Sequence, residues 1–309
     1  MISSSLSAEL DRVAVAIAET PELLLSGHVL GSYAAEGLDV VADPFDARIA
    51  DEVIAALRSR KPFSAVRIGD GEANLLSVGA YGTPELDRAC VGEIMAMQHD
   101  RIVPTDIWAM VFRELMLSSI LQADIVGVLG LWRAKPLSTE ELLALLRENP
   151  RGASGAWRAI DLMIKLARRG ILKGKLVTSA HLYFGIVQRL EPILSEVREA
   201  LLITNRSTLR ERFAARFPKT HFDLITIGDS PNAATPDFLL RTEGKLPGDL
   251  TGRCCLIGAG PWAEVYCGWV KQRGGVAVDI GSGFDLMDGA ITRPIHVALG
   301  LDRTKPFAM

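Results

Sequence analysis

Two carboxylates, Asp70 and Glu72, stand on either side of Gly71 in the stretch FSAVRIGDGEANLL, directly after a run that reads as a buried strand. Paired carboxylate oxygens suit a hard divalent ion such as Mg²⁺ or Mn²⁺. Two of them cannot enclose it, so water and substrate phosphates would complete the shell. Gly69 and Gly71 allow a sharp turn and a close approach of backbone to ligand. Arg67, at the strand end, can pair with the carboxylates or hold a diphosphate through two parallel hydrogen bonds. A purely structural reading stands beside this one: Asp70 caps a helix beginning near Gly71, and Glu72 lies in its first turn, where negative charge complements the helix dipole.

A second constellation lies in LIGAGPWAEVYCGWV, where Gly258, Gly260 and Ala263 form a G-x-G-x-x-A turn between an apolar run and a helical pattern, with Asp279 ending the next apolar run. This is the grammar of a dinucleotide-binding turn, and it supports an alternative class: a Rossmann enzyme using NAD or S-adenosylmethionine, an oxidoreductase or a methyltransferase. In the common dehydrogenase layout that turn opens the domain, whereas here too little chain follows it for two mononucleotide halves. The turn can also present N–H groups to a phosphate or sugar, or serve only to pack the last helix. Asp279 is a candidate general base for an acceptor hydroxyl, with a turn hydrogen bond as its structural alternative.

His181, after KLVTSA, and Asn205 with Arg206, after EALLIT, also fall at strand ends. A histidine there can bind phosphate or move a proton, and Arg206 can touch a diphosphate. Packing for His181 and solvation for Arg206 are the plainer readings. Asp229, Ser230 and Asn232 lie in a polar loop suited to sugar hydroxyls, and Trp262 can stack on a base or sugar ring.

These residues need a scaffold that places strand ends together. Helical spacing covers residues 5–19 and 46–60, the second opening with Asp43 or Asp46 as cap, and a glycine-containing loop joins them. Apolar runs at 63–68, 123–130, 175–180, 199–205, 222–228, 252–258 and 276–281 each precede a helical pattern. That alternation predicts an α/β fold with a mostly parallel sheet and helices on both faces. Residues 83–121 show helical patterns and no strand, so they read as a helical insertion. The expected organisation is an N-terminal helical extension over 1–60 and a catalytic domain over 61–309, with the polar loop 243–252 as the best candidate for a mobile segment.

Composition narrows the function classes. The 309 residues carry a formal net charge of -3, with 49% hydrophobic residues, so the chain can bury a sizeable core and has no overall basic field for a nucleic acid. Its four cysteines show no metal-ligand spacing and read as reduced core residues, Cys254 and Cys255 on opposite faces of one strand. No run is long and uncharged enough for a transmembrane segment, and the first 20 residues lack an uninterrupted signal core, so a cytoplasmic location is expected. Serine-hydrolase elbow, zinc-protease and P-loop motifs are absent. Oligomeric state is not readable.

FSAVRIGDGE, taken with LIGAGPWAEVYCGWVKQRGGVAVDIGSGFD, resembles the GT-D-type glycosyltransferases, a bacterial family with a Rossmann-like fold and a DXE motif. The resemblance extends over roughly residues 60–290 and matches Asp70, Gly71 and Glu72 to DXE. It implies an enzyme using Mn²⁺ or Mg²⁺ at Asp70 and Glu72 and a nucleotide-sugar donor, UDP-linked. The sugar would pass to a hydroxyl of a glycan, glycoprotein or lipid-linked acceptor. On this reading Asp279 and His181 join the carboxylates as catalytic candidates, while Arg67, Gly69, Gly71, Asn205, Arg206, Gly258 and Gly260 contact the donor.

Overall fold

A computed structural model of the chain describes residues 4–19, 26–90, 105–130, 148–227 and 243–301, with 138, 140, 141 and 144 besides. In chain order its elements are α1 (Ser4–Glu19), α2 (Ser26–Ala35), β1 (Asp39–Val41), α3 (Ala47–Ser59), β2 (Phe63–Ile68), α4 (Asp70–Leu76) and α5 (Thr105–Gln122). There follow β3 (Ile125–Val128), α6 (Pro150–Arg168), β4 (Leu176–Ser179), α7 (Tyr183–Gln188), α8 (Leu190–Ser195) and β5 (Glu199–Thr204). The chain continues with α9 (Leu209–Arg216), β6 (His221–Thr226), β7 (Cys254–Gly258), α10 (Ala263–Gln272), β8 (Val276–Asp279), α11 (Gly283–Met287) and α12 (Pro294–Ala298).

The eight strands form one parallel sheet in the order β1-β4-β3-β2-β8-β7-β5-β6. Strands β3, β4, β7 and β8 are buried almost from end to end, which is why they read as continuous apolar runs rather than alternating ones. The edge strands β1 and β6 are only partly covered. The α/β, Rossmann-like expectation is borne out. The loop expected between the first two helical patterns instead holds α2 and β1. Three residues, pairing Asp39 opposite Leu176 through Val41 opposite Thr178, are too few to show a periodicity.

Local chemistry sets the helix ends. Asp46 accepts the Arg48 amide at 2.9 Å and starts α3, whose stripe of Ile49, Val53, Ile54 and Leu57 is buried. Arg60 closes that helix in the left-handed conformation, φ 51°. Within residues 83–121, those described are helical over 84–90 and α5, with no strand among them. The 243–252 loop is held by Leu246 and Leu250, both buried, and by Arg273 on Glu243 at 3.0 Å.

The chain groups into two compact units of interleaved segments: a first of residues 1–42, 67–117 and 126–180, and a second of residues 43–66, 118–125 and 181–309. All four cysteines are buried and unpaired. Among the described residues, no helix is long and apolar enough to cross a membrane.

Candidate functional site

In the first unit the carboxylate turn joins β2 directly to α4. Gly69 occupies the N-cap position in extended backbone, and Asp70 is already the first helical residue. The cap expected from the Asp70 side chain is not made, because that residue lies inside the helix and its carboxylate turns elsewhere. Asp70 Oδ2 lies 3.3 Å from Arg151 Nε, with the two side chains 35% and 18% exposed. Glu72 folds back over the helix start, its Oε2 lying where a Cβ on Gly69 would stand. Both carboxylates sit where the orphan N–H groups and the dipole of the first turn favour negative charge. Arg67, half-buried one residue before the strand ends, donates to the Ala180 carbonyl at 3.3 Å, just past β4. Arg67, Gly69, Asp70, Gly71 and Glu72 thus share one strand–helix turn.

The partner that fixes this turn is α6, which sequence reasoning missed. Asn149 caps α6 by accepting the Gly152 amide at 3.0 Å, and Pro150 fills its first position. Gly155, one turn on, lies against the backbone of Asp70. A Cβ there would stand 2.6 Å from Asp70 Cα and 2.8 Å from its carbonyl carbon. Asn74, fully buried on α4, donates to the Arg151 carbonyl at 3.0 Å, so the two helices are tied by backbone contact as well as by the Asp70 ion pair.

Deeper along α6, Arg158 is wholly buried, with Nη2 2.8 Å from both Asp87 Oδ1 and Thr83 Oγ1. Asp87 also accepts the Gly79 amide at 2.8 Å. Tyr81 donates to Asp161, which pairs with Lys165 at 2.6 Å. This network pins the segment after α4 to α6. A buried arginine with a matched carboxylate is strongly destabilised if either partner is removed, so the network fixes geometry more than it adds net stability.

In the second unit, β5, β7 and β8 are neighbours, and their registers bring Thr204 opposite Gly258 and Ile257 opposite Asp279. The ends carrying Asn205, Arg206, Gly258, Gly260 and Asp279 therefore cluster. Asp279 is buried and accepts the Gly281 amide at 2.9 Å, the turn bond weighed as its structural alternative. Gly258 has no room for a side chain, since a Cβ would strike the Phe284 ring and come within 3.0 Å of the Gly281 carbonyl oxygen. Gly260 takes a left-handed φ of 55°, which glycine adopts without strain. Packing and turn geometry thus account for both glycines of the G-x-G-x-x-A turn. Among the described residues β8 is the one strand that follows it.

Arg206 is not a solvated side chain: it pairs with Asp285 at 2.6 Å and Asp288 at 2.9 Å, and Arg212 reaches the other oxygen of Asp288 at 3.3 Å. His181 lies in an aromatic group, its ring 6.1 Å from Tyr183 and 5.9 Å from Phe184. Trp262 is buried at the start of α10. The loop of Asp229, Ser230 and Asn232 lies outside the described residues.

Among the described residues, no group of three or more His, Cys, Asp or Glu is placed to hold a metal ion. No curated protein and no solved structure matches the chain. A family model described as a GT-D fold-like domain matches residues 46–149. The match contains RIGDGE and the helical segment after it, while the glycine-turn block at 256–285 falls outside. Residues 46–149 are therefore similar to a GT-D fold-like domain, and the Asp70–Glu72 turn lies within the matched stretch.

Proposed function

We propose that the chain is a metal-dependent glycosyltransferase, taking a sugar from a nucleoside diphosphate donor, UDP-linked, and passing it to a hydroxyl of a glycan, glycoprotein or lipid-linked acceptor. The observation that carries this reading is the position of the Asp70–Glu72 turn inside the GT-D-like match, with a cation already drawn to Asp70. The donor set fits a divalent ion in part. Both groups are hard carboxylate oxygens in one helical turn, and Arg151 at 3.3 Å stands in for a positive charge on Asp70. With two protein ligands, Asp70 and Glu72, the remaining positions fall to water and the donor's phosphates. When bound, Mn²⁺ or Mg²⁺ would neutralise charge developing on the departing diphosphate. Arg67 and Arg151 add fixed positive charge beside the turn, and the α4 N-terminus adds its dipole. The second unit's Asp279 and Arg206 are engaged with Gly281 and with two carboxylates, so the proposal rests on the first unit's turn.

The test is hydrolysis or transfer of UDP-sugars with Mn²⁺ and with EDTA. EDTA should abolish turnover and Mn²⁺ restore it, and Asp70→Asn with Glu72→Gln should lower kcat by at least about 100-fold. Turnover indifferent to EDTA, or unchanged in the double variant, refutes the proposal.

A further inference from the structure

Metal binding at Asp70 meets a competitor, because that carboxylate already holds a cation of the chain's own. We infer that Arg151 acts as a resident counter-ion for Asp70, displaced when a divalent ion binds and thereby freed to grip the donor's diphosphate. The inference rests on the metal role proposed above.

Three observations carry it. The Arg151 backbone is fixed: Asn74 holds its carbonyl at 3.0 Å, the Asn149 cap orders the first turn of α6, and Gly155 seats α6 on the Asp70 backbone. Exchange of partners is therefore a side-chain movement on a fixed backbone. The carboxylate side of the pair is reachable, since Asp70 is 35% exposed; Arg151 is 18% exposed, with its Nε buried and, at 3.3 Å, making no hydrogen bond. An ion pair of that exposure is weak enough for a doubly charged ion to displace. The released group is a guanidinium, whose planar fork matches two phosphate oxygens, whereas a lysine would offer only a point charge.

Ion and diphosphate should then strengthen one another's binding, each by the same factor, because the ion frees the arginine and the diphosphate keeps it from returning. The exchange also suppresses futile occupancy. Without donor, Arg151 competes for the carboxylate and the ion binds less tightly than it does with donor present.

The experiment titrates the full chain with Mn²⁺, reading free ion by electron paramagnetic resonance, with and without UDP. Arg151→Met should bind Mn²⁺ alone about three- to tenfold more tightly than the natural chain and, against a reference of UDP with Mn²⁺ without protein, keep only the part of the UDP enhancement that comes from the phosphates' own hold on the ion. Arg151→Lys keeps the charge and should stay within about twofold in Mn²⁺ affinity, while losing part of the UDP enhancement. Asp70→Asn should abolish the tight site in every background. If Asp70→Asn abolishes Mn²⁺ binding but Arg151→Met does not tighten it, the counter-ion role is wrong and the metal reading stands. If Asp70→Asn leaves Mn²⁺ binding unchanged, the metal reading is wrong and the counter-ion role falls with it.

Discussion

Gly155→Ala tests the seating of α6 under the carboxylate turn. The added Cβ would lie 2.6 Å from Asp70 Cα and 2.8 Å from its carbonyl carbon. An ordinary carbon contact is about 3.5 Å or more, so the helices must part by several tenths of an ångström. The atoms struck are backbone of the first residue of α4, which cannot swing aside. Overpacking of this kind costs about 1–3 kcal/mol, while replacing a mid-helix glycine by alanine returns about 1 kcal/mol of helix propensity. The expected net effect is a loss of up to about 2 kcal/mol, together with displacement of Asp70 and weaker Mn²⁺ binding. Gly31→Ala in α2 supplies the contrast: nothing stands within 4 Å of its Cβ position, so the same chemical change should stabilise by up to about 1 kcal/mol. Both glycines lie in the first unit. Urea unfolding midpoints therefore compare them directly. A Gly155→Ala protein stabilised like Gly31→Ala refutes the close backbone contact.

Two further predictions concern buried titratable groups. Burial lowers the pKa of His296, with Asp285 opposing and Arg293 assisting, and its Nε2 lies 3.1 Å from the Tyr183 hydroxyl. The unfolded histidine takes up its proton first, so stability should be level above pH about 7 and fall as pH drops through about 6.5 toward the lower native value. His296→Gln should flatten denaturant midpoints measured from pH 5.5 to 7.5 relative to the natural chain, and an unchanged slope would exclude His296 as the cause. Burial also pushes the Cys254 thiol up to about 12 and Cys255 well above its ordinary value. With Cys90 and Cys267 buried as well, Ellman's reagent should find none of the four thiols in the native protein and all four after denaturation. Prompt native labelling would contradict their burial.

How much of this was legible depended on sequence distance. Every strand buried on both faces announced itself as a short apolar run, because parallel strands need no polar alternation. β1 did not, being three residues long and paired on one side. The carboxylate turn was readable, since its glycines and acids are contiguous. Arg151, Asn74 and Gly155 were not, because their significance comes from a helix that returns to the turn after a long excursion. A trace existed in NPRGASGAW, where a cap, a first-turn proline and closely spaced small residues mark a helix that another backbone approaches. Arg206 shows the same limit: read locally it belongs to solvent, yet Asp285 and Asp288 arrive beside it from much later in the chain.

The interleaving of segments bears on how the chain matures as it is synthesised. The first unit is drawn from residues up to 180, whereas the second begins with residues 43–66 and is completed by 181–309. α3 is the stretch left in suspense, for its Ile49, Val53 and Leu57 stripe is covered in the finished protein and Gly185 of α7 binds back to the Pro44 carbonyl at 2.9 Å. Until more than half of the polypeptide has left the ribosome, that greasy face has no native cover, and nascent chains stalled before α7 should be the ones that chaperones hold and that aggregate when released.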